Sequence, residues 1–391
     1  MKEKNPNNRC EENTSKAEKK TGILTFSRSL NYGSTLQAWS LTQFLQQAGV
    51  NPEIIDYEPN GYRDIYALFR MPVQKRWIKV DLLHFLLLRF FFRRKKDFYR
   101  FWKKNYIRND KLIRTHEDLQ QQEQKYDILL CGSDQIWNTR ARDFDRAFFF
   151  PDISNIRKIA YAVSVNTGNL GEKEEFRKWL SDFSFLSVRE ANSRDQLKKL
   201  LGEKTEVEIC LDPTLLLQAE DFEKIMTRRI IEEPYIFFYS VSMKENAMRA
   251  AEILSVQKKL KIYTLISGRG TLSYLDHRKK IYLPRYNTGP EAFLSLIYHA
   301  SYVVTDSFHG TAFSVVFHKP FCAVAAVDKN GRIKDDARIR NLLAMVGLPD
   351  RFVPEHQIME CIDRKICWEE VDSLRNLEAR RSMNFLEKAL S

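Results

Sequence analysis

The run Ser307-Phe308-His309-Gly310-Thr311 brings together the groups that proton transfer and anion binding require. An imidazole takes up and releases a proton near neutral pH, which an arginine or lysine does poorly. Ser307 is of the type that caps a helix, and Gly310 has no side chain to keep backbone N–H groups away from an anion. His309 is therefore the candidate acid/base. A histidine that only bonds its own turn is the alternative for this spacing, and His318 reads as structural.

Three further clusters can do related chemistry. Gly132-Ser133-Asp134-Gln135-Ile136-Trp137-Asn138 packs a carboxylate, amides and an indole together, the mix with which proteins grip sugar hydroxyls and stack on sugar C–H faces. A turn capped by Asp134 is the plainer reading. Ser29-Leu30-Asn31-Tyr32-Gly33-Ser34 opens like a phosphate-cradling loop but matches neither the dinucleotide nor the Walker pattern. Arg189, in Ser187-Val188-Arg189-Glu190, could clamp a carboxylate or phosphate with two N–H groups, or pair with Glu190. Asp143-Phe144-Asp145 has metal-site spacing, but Arg142 and Arg146 flank it and neutralise both carboxylates. The six cysteines are scattered with no Cys-x-x-Cys pair, so neither a metal site nor a disulfide framework is expected, and reduced thiols suit a cytoplasmic protein.

These clusters need a scaffold that gathers them. Short apolar runs alternate with helical patterns from Thr21 onward, which predicts βαβ units and mostly parallel sheets. Strands are expected at Gly22–Phe26, Glu53–Tyr57, Tyr126–Cys131, Ile159–Val165, Phe185–Val188 and Val207–Leu211. A second series follows at Tyr235–Val241, Lys261–Ile266, Tyr302–Thr305 and Phe321–Ala325. Each chemical cluster then falls where a strand leads into a helix, the end at which open parallel sheets bind ligands. At 391 residues the chain is long enough for two domains. The expected division is a disordered lead-in at 1–20, a first domain at 21–215, a second at 216–367 and a C-terminal helix at 368–391. A basic helical insertion occupies about 60–125, and the linker falls at about 215–233.

A net charge of +12 calls for an anionic partner. Arg89 to Lys104 holds eight basic residues and one acid among aromatics, which suits phosphate backbones or anionic head groups. No nucleic-acid recognition motif accompanies it, so the segment 82–104 is expected to lie against an anionic membrane or a polyprenyl-phosphate acceptor; an ordinary amphipathic helix is the alternative. The apolar run Leu82–Phe92 is interrupted by His84 and Arg89 and is about half the ~20 residues a bilayer span needs. The polar first twenty residues do not read as a secretory signal.

Taken together, NYGSTLQA at 31–38, GSDQIWN at 132–138, SVRE at 187–190, LDPTLLL at 211–217 and TDSFHGTAFSVVFHKPF at 305–321 resemble the polysaccharide pyruvyl transferase family. The resemblance implies two Rossmann-like domains facing across a cleft, as in GT-B glycosyltransferases. It implies phosphoenolpyruvate as donor, a saccharide hydroxyl pair as acceptor, no cofactor, and a cytoplasmic site of action, at most peripheral at the inner face of the plasma membrane. His309 would be the acid/base. Arg189, Ser307, Gly310, Thr311, Lys319, Arg338 and Arg340 would hold the donor. Asp134 would orient or deprotonate the acceptor beside Asn31, Tyr32, Gly33, Gln135, Trp137 and Asn138. Relatives often carry Arg-Leu-His-Gly or similar, with an arginine that grips the donor, where this chain has Ser307-Phe308-His309-Gly310, so other cations must build the anion clamp. A GT-B glycosyltransferase using a nucleotide sugar and a non-catalytic anion- or nucleic-acid-binding protein are the competing classes.

Overall fold

The computed structural model describes residues 19–58, 62, 88–109, 111–171, 173–266, 273–274, 280–284, 288–328 and 332–391. Nearly all of the expected lead-in, and the insertion from 63 to 87, lie outside these residues.

Six strands form the first sheet: β1 (Lys20–Leu24), β2 (Asn51–Ile54), β3 (Ile128–Asp134), β4 (Arg157–Val163), β5 (Phe185–Val188) and β6 (Glu208–Ile209). Six more form the second: β7 (Tyr235–Tyr239), β8 (Lys261–Thr264), β9 (Ile281–Tyr282), β10 (Tyr302–Thr305), β11 (Phe321–Val324) and β12 (Phe352–Val353). The orders are β2-β1-β3-β4-β5-β6 and β12-β11-β10-β7-β8-β9, and neighbouring strands pair in parallel. Strands such as β3 are buried along their whole length, which is why they read as unbroken apolar runs rather than alternating ones.

The expected strands are present, with shifted ends. The second runs over Asn51–Ile54 instead of Glu53–Tyr57, and the third reaches Asp134, so that carboxylate closes a strand rather than a loop. The two-residue strands β9 and β12 have too little sequence to carry a pattern. Between the sheets the chain is not a bare linker: Pro213–Leu215 makes a 3-10 turn and Ala219–Glu223 a short helix, with Leu215, Leu217 and Phe222 buried.

The two halves share a core. Leu36, Trp39 and Leu130 from the first sheet's side form one buried cluster with Phe237, Phe293, Val303 and Phe313 from the second. The basic helix Leu88–Asn105 joins it through Phe98, Phe101 and Trp102. The last helix, Trp368–Leu390, spans the junction. Its Ser382 hydroxyl accepts the Leu211 N–H (2.9 Å) and Phe385 packs on Tyr161, while Trp368 stacks on His318 at 4.7 Å.

Candidate active site

In each sheet the strand order reverses once, between β1 and β3 and between β7 and β10. Beyond the carboxyl ends of such a strand pair the two following connections diverge and leave a crevice. The first sheet offers the loop Ser29–Gly33 and Asp134 there; the second offers Asp306–His309. The domains face one another so that these two crevices meet.

His309 stands in the first turn of the helix Phe308–Val316, which Ser307 caps. It is 7% exposed. Its Nε2 lies 3.7 Å from Oδ2 of Asp212, an ion-pair contact just beyond hydrogen-bond reach. The other edge of the ring lies against Gly33, where an added Cβ would stand 2.1 Å from Nδ1. A side chain of the second domain is thus inserted between two loops of the first.

Asp212 is fully buried and saturated with donors. Oδ1 accepts the Thr214 N–H (3.1 Å) and hydroxyl (2.8 Å); Oδ2 accepts Arg189 Nη1 (2.7 Å) and the Ser133 hydroxyl (3.2 Å). Burial by itself would raise its pKa, but His309, Arg189 and the Thr214 amide outweigh that and hold the carboxyl well below the usual carboxylate range. Asp212 is therefore an anion at every working pH, fixed beside the imidazole.

Arg189 is the hub of the site. Burial opposes its charge, yet Asp212, Glu190 (3.7 Å) and Asp134 (3.9 Å) more than compensate and raise its pKa. Its guanidinium carbon lies 4.0 Å from the centre of the Phe308 ring. The phenylalanine just before the histidine thus provides a face for a cation from the opposite domain. Arg189 Nε and Nη2, Glu190 Oε2 and His309 Nε2 are buried without a hydrogen-bond partner among the described residues. Native proteins rarely leave such atoms unpaired except where a ligand or water belongs.

Asp134 accepts the Ser34 hydroxyl (2.6 Å) and its neighbour's amide. Gln135 Oε1 accepts from Asn138 (3.1 Å) and Asn166 (2.7 Å), forming a half-buried amide cluster beside the cleft. Asn31 caps the first helix, accepting the Gly33 and Ser34 amides.

Several expected contacts lie elsewhere. Trp137 is fully buried, stacked on Phe149 at 5.1 Å, with its indole N–H given to Phe148; it is core, because the turn after Asp134 folds it beneath the sheet. Tyr32 is buried in the junction, donating to Thr288 O (2.9 Å) and stacking on Phe293. The Gly310 and Thr311 amides are bound to Ser307 Oγ and O, so all three groups serve the helix cap. Gly310 is required for another reason: a Cβ there would lie 2.2 Å from Thr305 Oγ1. Lys319 follows the far end of the His309 helix, roughly 13 Å along its axis, with its amine over Tyr298. Arg338 is held by Asp336 and Arg340 by Asp335. Of the cations the motifs suggested, Arg189 is the one the fold brings beside His309, and Asp212, whose motif was noted without a role, lies between the two.

Paired parallel α/β domains whose switch-point loops enclose a histidine, an arginine and carboxylates define a GT-B-type enzyme cleft. Solved structures of this shape include UDP-GlcNAc 2-epimerase from Methanocaldococcus jannaschii (12% identity, 90% of this chain and 95% of that one, TM-score 0.50). The enzyme of the same name from Rickettsia bellii aligns at 8% identity over 95% and 97% of the two chains, TM-score 0.50. The S. aureus MnaA–UDP co-structure aligns at 10% over 94% and 96%, TM-score 0.51. At these identities the likeness is one of fold. No curated protein sequence matches the chain. The sequence profile of polysaccharide pyruvyl transferases matches residues 31–326, well over half of the chain. The chain belongs to that family and is a transferase, which sets aside the non-catalytic reading.

Proposed function

We propose that the cleft transfers a pyruvyl group from phosphoenolpyruvate to two hydroxyls of one saccharide unit, in a cell-surface polysaccharide or its lipid-linked precursor. The observation that carries this reading is the buried His309–Asp212 pair beside the unpaired N–H groups of Arg189.

The chemistry divides into steps that these groups serve. His309 gives a proton to the enol methylene, creating a methyl group and a cationic carbon. A saccharide hydroxyl attacks that carbon and loses its proton to the imidazole. Phosphate leaves with one proton, and the second hydroxyl closes the ketal, releasing its own. One acid/base acting in turn covers each transfer. Asp212 stays ionised throughout and stabilises the imidazolium. Arg189 Nε and Nη2, steadied by Phe308, receive the donor's carboxylate or phosphate. Asp134, Gln135 and Asn138 contact the acceptor.

The test is phosphate release from phosphoenolpyruvate with a panel of saccharides, together with appearance of the ketal methyl signal by NMR. Stabilisation by UDP- or GDP-sugars with none by phosphoenolpyruvate would favour a nucleotide-sugar glycosyltransferase instead.

A further inference from the structure

The helix Leu88–Asn105 uses its two faces differently. Its inner face is committed to the junction: Arg94 donates to the Tyr32 hydroxyl (3.0 Å) and to Leu30 O, and Asp97 accepts the Thr288 amide and hydroxyl, both at 3.0 Å. The one acid between Arg89 and Lys104 therefore points inward, and the helix ties the first domain's loop to the second domain. The outer face carries Arg89, Phe92, Lys96, Tyr99 and Lys103, all exposed. Their spacing alternates between three and four residues, so they form a single stripe of cation, ring, cation, ring, cation, about 21 Å long. Phe92 is 53% exposed and Tyr99 44%.

Rings held open to water between basic side chains are what an interfacial helix needs. The rings enter the boundary between head groups and acyl chains, and the long basic side chains reach back to anionic head groups. No helix among the described residues is long and apolar enough to cross a bilayer, so the contact is with a surface. We infer that the outer face of Leu88–Asn105 docks the enzyme on an anionic membrane. The inner face of the same helix holds Leu30 and Tyr32, next to the Gly33 that abuts His309. Docking thereby brings the cleft to the membrane, where a lipid-carried saccharide can reach it. That last consequence rests on the pyruvyl-transfer reading; the docking does not.

Full-length protein is sedimented with vesicles of phosphatidylcholine alone and of phosphatidylcholine with a third phosphatidylglycerol, with a DNA duplex as competitor. Binding to the anionic vesicles only is expected, falling steeply with salt. Lys96→Glu with Lys103→Glu should weaken it on the order of a hundredfold or more, since each basic residue near the surface contributes about 1 kcal/mol. Phe92→Ser with Tyr99→Ser, which keeps every charge, should weaken it at least about tenfold. Both double variants sit on exposed positions and should keep turnover with a soluble saccharide; the lysine variant should keep the wild-type melting temperature, and the ring variant, whose Tyr99 also packs edge-on against Trp102 at 5.0 Å, is assayed at a temperature where it is folded. Equal binding to both vesicle types, or none, overturns the inference. So does binding indifferent to the two rings with the duplex displacing the vesicles, which would mark a nucleic-acid surface. A failed pyruvyl-transfer reading would show as no turnover in any variant, while vesicle binding would still report on the docking.

Discussion

Gly33→Ala is the change that the geometry makes most diagnostic. Gly33 lies in the first turn of the helix Tyr32–Gln47 and has no unusual backbone angle, so helix propensity alone predicts that alanine is stabilising, by up to about 1 kcal/mol. The packing predicts the opposite for function. The new Cβ would lie 2.1 Å from His309 Nδ1 and 2.3 Å from Cγ, and reaching a carbon contact of about 3.5 Å requires the ring to retreat by about 1.4 Å. A retreat away from the first domain stretches the 3.7 Å approach to Asp212 and draws Phe308 off Arg189. A misplacement of about 1 Å can cost roughly 10²-fold in rate. Steady-state phosphate release should therefore fall about a hundredfold or more in kcat/KM. The melting temperature reads the balance between the helix preference of alanine and the clash across the shared core, and the rate is compared at a temperature where the variant is folded. Near wild-type turnover in Gly33→Ala would refute the placement of His309 against the first domain.

Other changes separate the roles. Asp212→Asn should lower turnover at least about 10²-fold and, by leaving Arg189 short of its closest partner, destabilise the fold by roughly 3–5 kcal/mol at neutral pH. Because the folded-state carboxyl is held below its normal range, its stabilisation is present above about pH 4 and is lost as the pH falls further. Denaturant titrations should show the gap between wild type and variant narrowing in acid; a gap independent of pH contradicts the ion-pair assignment. Phe308→Leu removes the ring face beneath Arg189 and should weaken donor binding about tenfold, within the range of a desolvated cation–π contact, with the acceptor KM unchanged. Trp137→Ala should cost about 3–5 kcal/mol of stability and leave the acceptor KM within about twofold under conditions where it is folded. A raised acceptor KM in a fully stable variant would return that indole to the saccharide site.

The sequence announced the architecture more clearly than the chemistry, for physical reasons. Buried parallel strands are apolar on both faces, so Tyr235–Tyr239 and Tyr302–Thr305 were legible as runs, and glycine and serine marked the helix ends. Ile281–Tyr282 and Phe352–Val353 were not, because their strand character comes from their neighbours. His309 was recognisable because a polar turn leading from a buried strand into an apolar helix lies at the end where open parallel sheets bind ligands. Asp212 was hidden, since Asp-Pro-Thr reads as a strand stop, and its oxygens do cap that turn; its second use depends on Arg189 and on a histidine from the other domain. Trp137 misled because an indole amid amides has the composition of a sugar site, and only the fold shows it turned under the sheet. Phe308 marked a departure from the family's motif, and only the fold shows its ring facing Arg189 from across the cleft.

The most direct measurement is single-turnover conversion of carbon-labelled phosphoenolpyruvate by wild type and by His309→Gln in the presence of a competent saccharide. The wild type should release phosphate and produce the ketal methyl signal in equal amounts. His309→Gln should fold and bind the donor through Arg189, yet form product at least about 10³-fold more slowly. Product formation by His309→Gln at a rate near that of the wild type would contradict the account.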